Sequence, residues 1–280
     1  MRKKKKPYLL SVLFGLCFFV AFKSFSQKMN VYPHGTYIIS AITKDGIIVG
    51  SDSRVSMFEG TEQHSRIYAH IDGVQKIFVY KKIFFQMDGQ EDFSYYTIFG
   101  LFDKFKKENK ETVSVKNFYN KFLSFAKKAL SENDLKAIND NHIIISGYDK
   151  TKPCIYIYEN GKSDSAIGHG FKTNVYIDNR NKQMADYFNK CDINSGLSFI
   201  NKFLTIISKS QPKIGGKSSL GYLLNNGDLK TFFQKKYNYT TKREELLDCY
   251  NDKIKIIYES KSDSANYKYS LSLILFPKSR

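Results

Sequence analysis

Thr36 and Asp52 are the first residues in this 280-residue sequence whose types and placing suggest chemistry. Between them, two apolar runs at residues 37–42 and 47–49 flank Asp45-Gly46. An Asp-Gly pair between β-branched runs predicts a two-residue hairpin with a type I′ turn, because both turn residues need positive φ. Antiparallel pairing then brings Thr36, at the head of one strand, to the same end as Asp52, at the tail of the other. A threonine hydroxyl is a weak nucleophile and needs an adjacent base. A chain-terminal α-amine titrates near 8 and can accept that proton close to neutrality. Thr36 gains such an amine only if the Gly35–Thr36 bond is cut. The plainer role for the same residue is a threonine that opens a strand.

Other segments extend the pattern. Gly35 precedes Thr36, and Ser53-Arg54 follows Asp52. Val74-Gln75-Lys76-Ile77-Phe78 and Met87-Asp88-Gly89 come next, then Gly168-His169-Gly170 and Gln211-Pro212-Lys213-Ile214-Gly215-Gly216. Together they resemble the proteasome-type β-subunits, a family of N-terminal-nucleophile hydrolases in which a Gly-Thr bond is cut to expose the threonine. The 16-residue separation of Thr36 and Asp52 is the family's own.

The resemblance implies roles. Thr36 would be the nucleophile with its own amine as base. Lys76 would depress the amine's pKa and keep the hydroxyl reactive, and Asp52 would hold Lys76 charged and oriented. The backbone N–H of Gly89 would be the oxyanion donor. Arg54, Gly215 and Gly216 fall in supporting positions. Where the family carries an Asp and two Ser that orient the amine, this chain has Gln211, His169 and Ile214. His169 is either a substitute base or a solvated loop histidine, and Lys76, Asp52 and Gly89 equally suit an exposed strand lysine, a turn aspartate and a turn glycine.

Composition bounds the setting. The chain is 42% hydrophobic with a formal charge of +17. Six of those charges (Arg2, Lys3, Lys4, Lys5, Lys6 and Lys23) fall in the first 26 residues, which carry no acid. A basic head, an apolar stretch over residues 8–22 and the small residues Ser24 and Ser26 read as a secretory signal, too short for the roughly 20 residues that span a bilayer. The expected location is the periplasm or cell envelope, with membrane contact only through an uncleaved signal. Residues 27–35 read as an extended pro-segment. Cys154, Cys191 and Cys249 remain after signal removal and suit buried apolar positions better than a disulfide framework. The dispersed lysines read as solvated faces, and an exported chain is not expected to bind nucleic acid. There is no His-Glu-x-x-His, Gly-x-Ser-x-Gly, P-loop or dinucleotide fingerprint, so neither metal nor cofactor is expected.

The elements that must position these residues follow from periodicity. Strands are expected at 76–80 and 83–87, helices over 95–105 and 115–129, strands at 142–147 and 154–158 turning at Asn160-Gly161, helices over 178–190 and 197–207, and a hairpin over 216–233. Residues 57–67 read as a polar, irregular loop. Two stacked antiparallel sheets with helices on both outer faces satisfy this order, an α+β, four-layer αββα sandwich, which the resemblance implies independently. It covers residues 36–235, and residues 236–280 read as a C-terminal extension with a helix at 244–250 and strands at 254–258 and 269–276. The expected activity is threonine-type hydrolysis of a peptide or other amide, with a homo-oligomer as a possible assembly. The alternative is a non-catalytic binding or assembly subunit with the same fold.

Overall fold

The computed structural model describes residues 32–34, 36–61, 64–89, 97–174, 181–210, 214–232 and 257–258. The signal, Gly35, Gln211, Cys249 and most of the C-terminal extension lie outside them. The chain is a mixed α and β protein built on antiparallel sheets. Strands β2 (Ile38–Thr43) and β3 (Gly46–Ser51) form the predicted hairpin, with Ile38 opposite Ser51. They join β11 (Phe171–Thr173), β12 (Ser219–Leu224) and β13 (Leu229–Phe232) in a five-stranded sheet ordered β11-β2-β3-β12-β13. The second five-stranded sheet contains β6 (Ile77–Tyr80), β7 (Ile83–Asp88), β8 (His142–Asp149), β9 (Lys152–Glu159) and β10 (Lys162–Ile167), ordered β10-β9-β8-β7-β6.

Alternation along β2 and β3 shows how the layers stack. Ile38, Ile42, Ile47 and Val49 meet Ile77, Phe84, Ile144 and Ile155 between the sheets. Ile39, Ala41 and Ile48 point the other way, onto Phe188, Leu197, Ile200 and Leu204. Those belong to helices that cover the first sheet, α4 (Asn181–Lys190) and α5 (Ile193–Ser210). Helices α1 (Ile98–Glu108), α2 (Val115–Ala129) and α3 (Glu132–Asp140) cover the second sheet, where Phe85 packs on Phe102, Phe118 and Phe122. Both faces of the central strands are thus buried, which is why β2, β3, β7 and β8 read as near-continuous apolar runs. Helices α1 and α2 start at Thr97 and Ser114, whose hydroxyls accept from the backbone N–H three residues on. No helix among the described residues is long and apolar enough to cross a membrane.

Several expectations need correction. The β2–β3 turn is Lys44-Asp45, with Gly46 already paired to Thr43 in β3. Thr43 donates its hydroxyl to the Gly46 carbonyl (3.0 Å), and Asn225 binds the Asp45 and Lys44 carbonyls from a neighbouring loop. Tertiary contacts therefore override the local Asp-Gly preference. The type I′ signature falls instead at Asn160-Gly161, with φ values of 49° and 72°.

Residues 57–61 and 64–67 are not irregular. They belong to strands β4 (Val55–Thr61) and β5 (His64–Ile71), centre of a four-stranded sheet ordered β1-β4-β5-β14. Its edges are β1 (Tyr32–His34) and β14 (Ile257–Tyr258). Backbone pairing on both sides of each central strand stands in for the apolar alternation the sequence lacks. Helix α3, β10 and β11 also went unpredicted, and three helices rather than two follow β7.

One polar cluster is sealed between the two five-stranded sheets. Ser40 donates to Gln86 Oε1 (2.6 Å) and lies 3.2 Å from the Ser146 hydroxyl, while Gln86 Nε2 donates to the Gly50 carbonyl (2.9 Å). Because the cluster is buried, its bonds fix how the sheets seat on each other. Gln86→Leu keeps the volume but removes the acceptor of the Ser40 hydroxyl and a donor to the Gly50 carbonyl, leaving Ser40 and Ser146 only each other. A loss of about 1–3 kcal/mol is expected by urea denaturation.

Candidate active site

Asp52 follows the end of β3 and is almost fully buried. Its carboxylate has four donors. Oδ1 accepts from the Tyr37 N–H (2.8 Å) and Lys76 Nζ (3.1 Å), and Oδ2 from the N–H groups of Arg54 and Gly215 (both 3.1 Å). Segments far apart in the sequence are thereby drawn onto one side chain. Burial pushes the Asp52 carboxyl up, while the Lys76 ammonium and the donated N–H bonds oppose that shift.

Lys76 stands immediately before β6 and is 1% exposed. Its ammonium donates to Thr36 Oγ1 at 2.7 Å, to Asp52 and to the Arg54 carbonyl. Thr36, itself buried, thus has its hydroxyl against a cation that a carboxylate holds in place. Such a cation lowers the cost of placing negative charge on Oγ1 and lowers the basicity of an amine formed beside it.

The expected supporting residues assemble around this triad. Arg54 forms a two-pronged pair with Asp72, Nε to Oδ1 at 2.8 Å and Nη2 to Oδ2 at 3.0 Å. Gly215 passes so close beneath the guanidinium that a Cβ there would lie 2.7 Å from Arg54 Cζ. Gly216 (φ +70°) would place a Cβ 2.3 Å from Ser53 Oγ. The two glycines are therefore required by the approach of their loop to the Asp52 turn. Ser53 N–H donates to the Gly215 carbonyl (3.0 Å), closing that contact. Ile214 lies in the apolar cluster with Tyr37 and Leu204. Its side chain thus serves the core, where the resemblance expects a hydroxyl.

Gly89 (φ +117°) follows the last residue of β7, and a Cβ there would lie 2.0 Å from Asn141 Oδ1. Asp88 ties that corner to the threonine. Asn174 Nδ2 donates both to Asp88 Oδ2 (2.6 Å) and to the Thr36 carbonyl (2.7 Å), and Asn174 Oδ1 accepts from the Ile38 N–H (3.0 Å). His169 is exposed and lines a cleft of about 900 Å3 that His142, Glu159, Phe171 and Asn174 also border. Among the described residues, no group of three or more His, Cys, Asp and Glu could hold a metal ion. Cys154 and Cys191 are buried free thiols.

Asn174, Asp88, His142 and Asp72 were not singled out by the sequence. Asp88 alone carried a signal, through its place in the Met87-Asp88-Gly89 segment. No protein-family model and no curated protein matches this chain.

The buried pair sets a stability test. Lys76→Met leaves the Asp52 charge buried without its cation, at an expected cost of about 3–5 kcal/mol. Asp52→Asn combined with Lys76→Met removes the unpaired charge but turns an amide NH2 toward backbone N–H donors, so it is expected to recover only part of that loss. Urea denaturation of wild type, single and double variants measures both.

Proposed function

We propose that this chain is a threonine-type N-terminal-nucleophile hydrolase that cuts its own Gly35–Thr36 bond and then hydrolyses a peptide or other amide. The observation that carries the reading is the 2.7 Å contact between Lys76 Nζ and Thr36 Oγ1 inside a buried site anchored by Asp52. In self-processing, Thr36 Oγ1 adds to the Gly35 carbonyl carbon. The C–N bond to Thr36 breaks, the hydroxyl proton ends on the new amine, and water hydrolyses the resulting ester. In turnover that amine takes the Oγ1 proton as the hydroxyl attacks the substrate carbonyl, then passes it to the leaving nitrogen. Gly89 N–H is assigned to the oxyanion, and water releases the acyl group. The layered α+β architecture agrees with the N-terminal-nucleophile fold, and the basic, apolar leader suits an exported protein.

A second reading has its own support. Ile214 fills the core where a hydroxyl would orient the amine, which favours a non-catalytic binding subunit on the same fold. Intact mass of the purified protein separates the two. A mature N-terminus at Thr36, absent in Thr36→Ala, is expected of the hydrolase. A wild-type chain that retains Gly35 through prolonged incubation would overturn it. Lys76→Met, examined where it is still folded, is expected to slow processing at least a hundredfold, about the loss seen when one preorganised electrostatic donor is removed.

A further inference from the structure

Three adjacent strand ends line up beside the site. Asp88 closes β7, His142 opens β8 opposite it, and Glu159 closes β9. The His142 ring lies between the two acids, Nδ1 at 3.4 Å from Asp88 Oδ2 and Nε2 at 3.0 Å from Glu159 Oε1. Asp88 Oδ2 is also the oxygen that receives Asn174 Nδ2. The Asn174 amide grips the backbone on either side of Tyr37, donating to the Thr36 carbonyl and accepting from Ile38 N–H. Its orientation is dictated by chemistry, since a carbonyl needs a donor and an N–H needs an acceptor.

We infer that Glu159, His142, Asp88 and Asn174 form a positioning array that fixes the Thr36 peptide, engaged while His142 carries its proton. Only the doubly protonated ring can donate to both carboxylates. The neutral ring has one N–H and must release one of them. A neutral ring that keeps its N–H on Glu159 leaves Asp88 unheld from that side, and the carboxylate that sets the fork of the Asn174 amide is then free to turn. None of these residues touches Thr36 Oγ1 in the described contacts, so they act through the backbone and are positioning residues.

The charges around His142 favour the engaged state. The bond to Asp88 raises the His142 pKa, burial opposes it, and Glu159 reinforces it. Burial alone would raise Asp88, but bonds from His142 and Asn174, with the Lys76 charge, hold it below the usual carboxylate range. Across the cleft stand His169 from the loop after β10, Lys182 of α4, and the ion pair of Lys172 with Asp164. Because the folded pKa of His142 is raised, the array's stabilisation is complete below the ordinary value of about 6.5 and is lost as pH rises through the raised value.

The effect on cleavage rests on the hydrolase reading, while the coupling to the Thr36 peptide does not. Thr36-Tyr37 is the only Thr-Tyr pair in the sequence. Labelling with carbonyl-13C threonine and 15N tyrosine therefore gives a single carbonyl–amide correlation from that peptide. Its shift is expected to titrate as pH rises past the ordinary histidine value of about 6.5, with the midpoint of the His142 ring, which a His142→Gln sample identifies. The response should vanish in His142→Gln and in Asn174→Ala, while the ring itself still titrates in Asn174→Ala. No response in wild type, or an undiminished one in His142→Gln, overturns the array. The ratio of wild-type to His142→Gln cleavage rates at Gly35–Thr36 is expected to be roughly tenfold to a hundredfold below the ring's midpoint, falling toward one as pH rises through it. Equal rates at every pH overturn the array. A chain that is never cut but shows the titration sinks the hydrolase and keeps the array.

Discussion

The structure depends on one buried carboxylate. Asp52 has little water to solvate it, so its charge must be met by protein donors, and they come from the strand after Thr36, the turn at Arg54, Lys76 and the loop at Gly215. Each donor fixes the backbone that supplies it. A buried ion pair contributes little net stability over an apolar pair of the same volume. What it provides here is placement, because an ammonium with Thr36 Oγ1, Asp52 and the Arg54 carbonyl as acceptors has little freedom to point elsewhere. The glycines at 215 and 216 follow from the same demand, since their loop must come within reach of Asp52 while passing under Arg54 and Ser53.

The layers around this centre explain how it stays rigid. Strand β2 presents alternate residues to the facing sheet and to α4 and α5. Thr36 and Tyr37 thus enter a strand whose two faces are both packed. On the other side Lys76 leads directly into β6, whose Ile77 lies between the sheets. A shift of either sheet would have to break the Ser40, Gln86 and Ser146 cluster before it could move the threonine away from the lysine. Seating of the sheets and geometry of the site are therefore one constraint.

The parts legible in the sequence were those with short-range causes. The β2–β3 hairpin, the helical stripes of α1, α2 and α5, and the turn at Asn160-Gly161 all follow from periodicity or turn chemistry. Thr36 and Asp52 were legible because they lie at the same end of the β2–β3 hairpin, and Lys76 through the resemblance of its segment to the proteasome-type β-subunits. Asn174 was not, because a lone asparagine after a short strand looks like any loop residue, and its partners Thr36 and Asp88 lie 138 and 86 residues away. The pairing of Arg54 with Asp72 was hidden in the same way. Strands β4 and β5 were missed because their sequence has little apolar alternation, and their outer partners β1 and β14 come from other parts of the chain.

The Gly35–Thr36 bond lies where the chain changes sheets. Before it, β1 pairs with β4 through Tyr32, Pro33 and His34; after it, β2 pairs with β3 and β11 in a different sheet. A three-residue edge strand that includes a proline has few ladder bonds of its own. The covalent link to β2 gives it a high effective concentration beside β4. Cutting that link turns an intramolecular pairing into a bimolecular one between a short peptide and a strand edge. On the proposed hydrolase reading, the bond to be cut is also a tether of β1, so one scission would expose the amine and loosen the strand beside it.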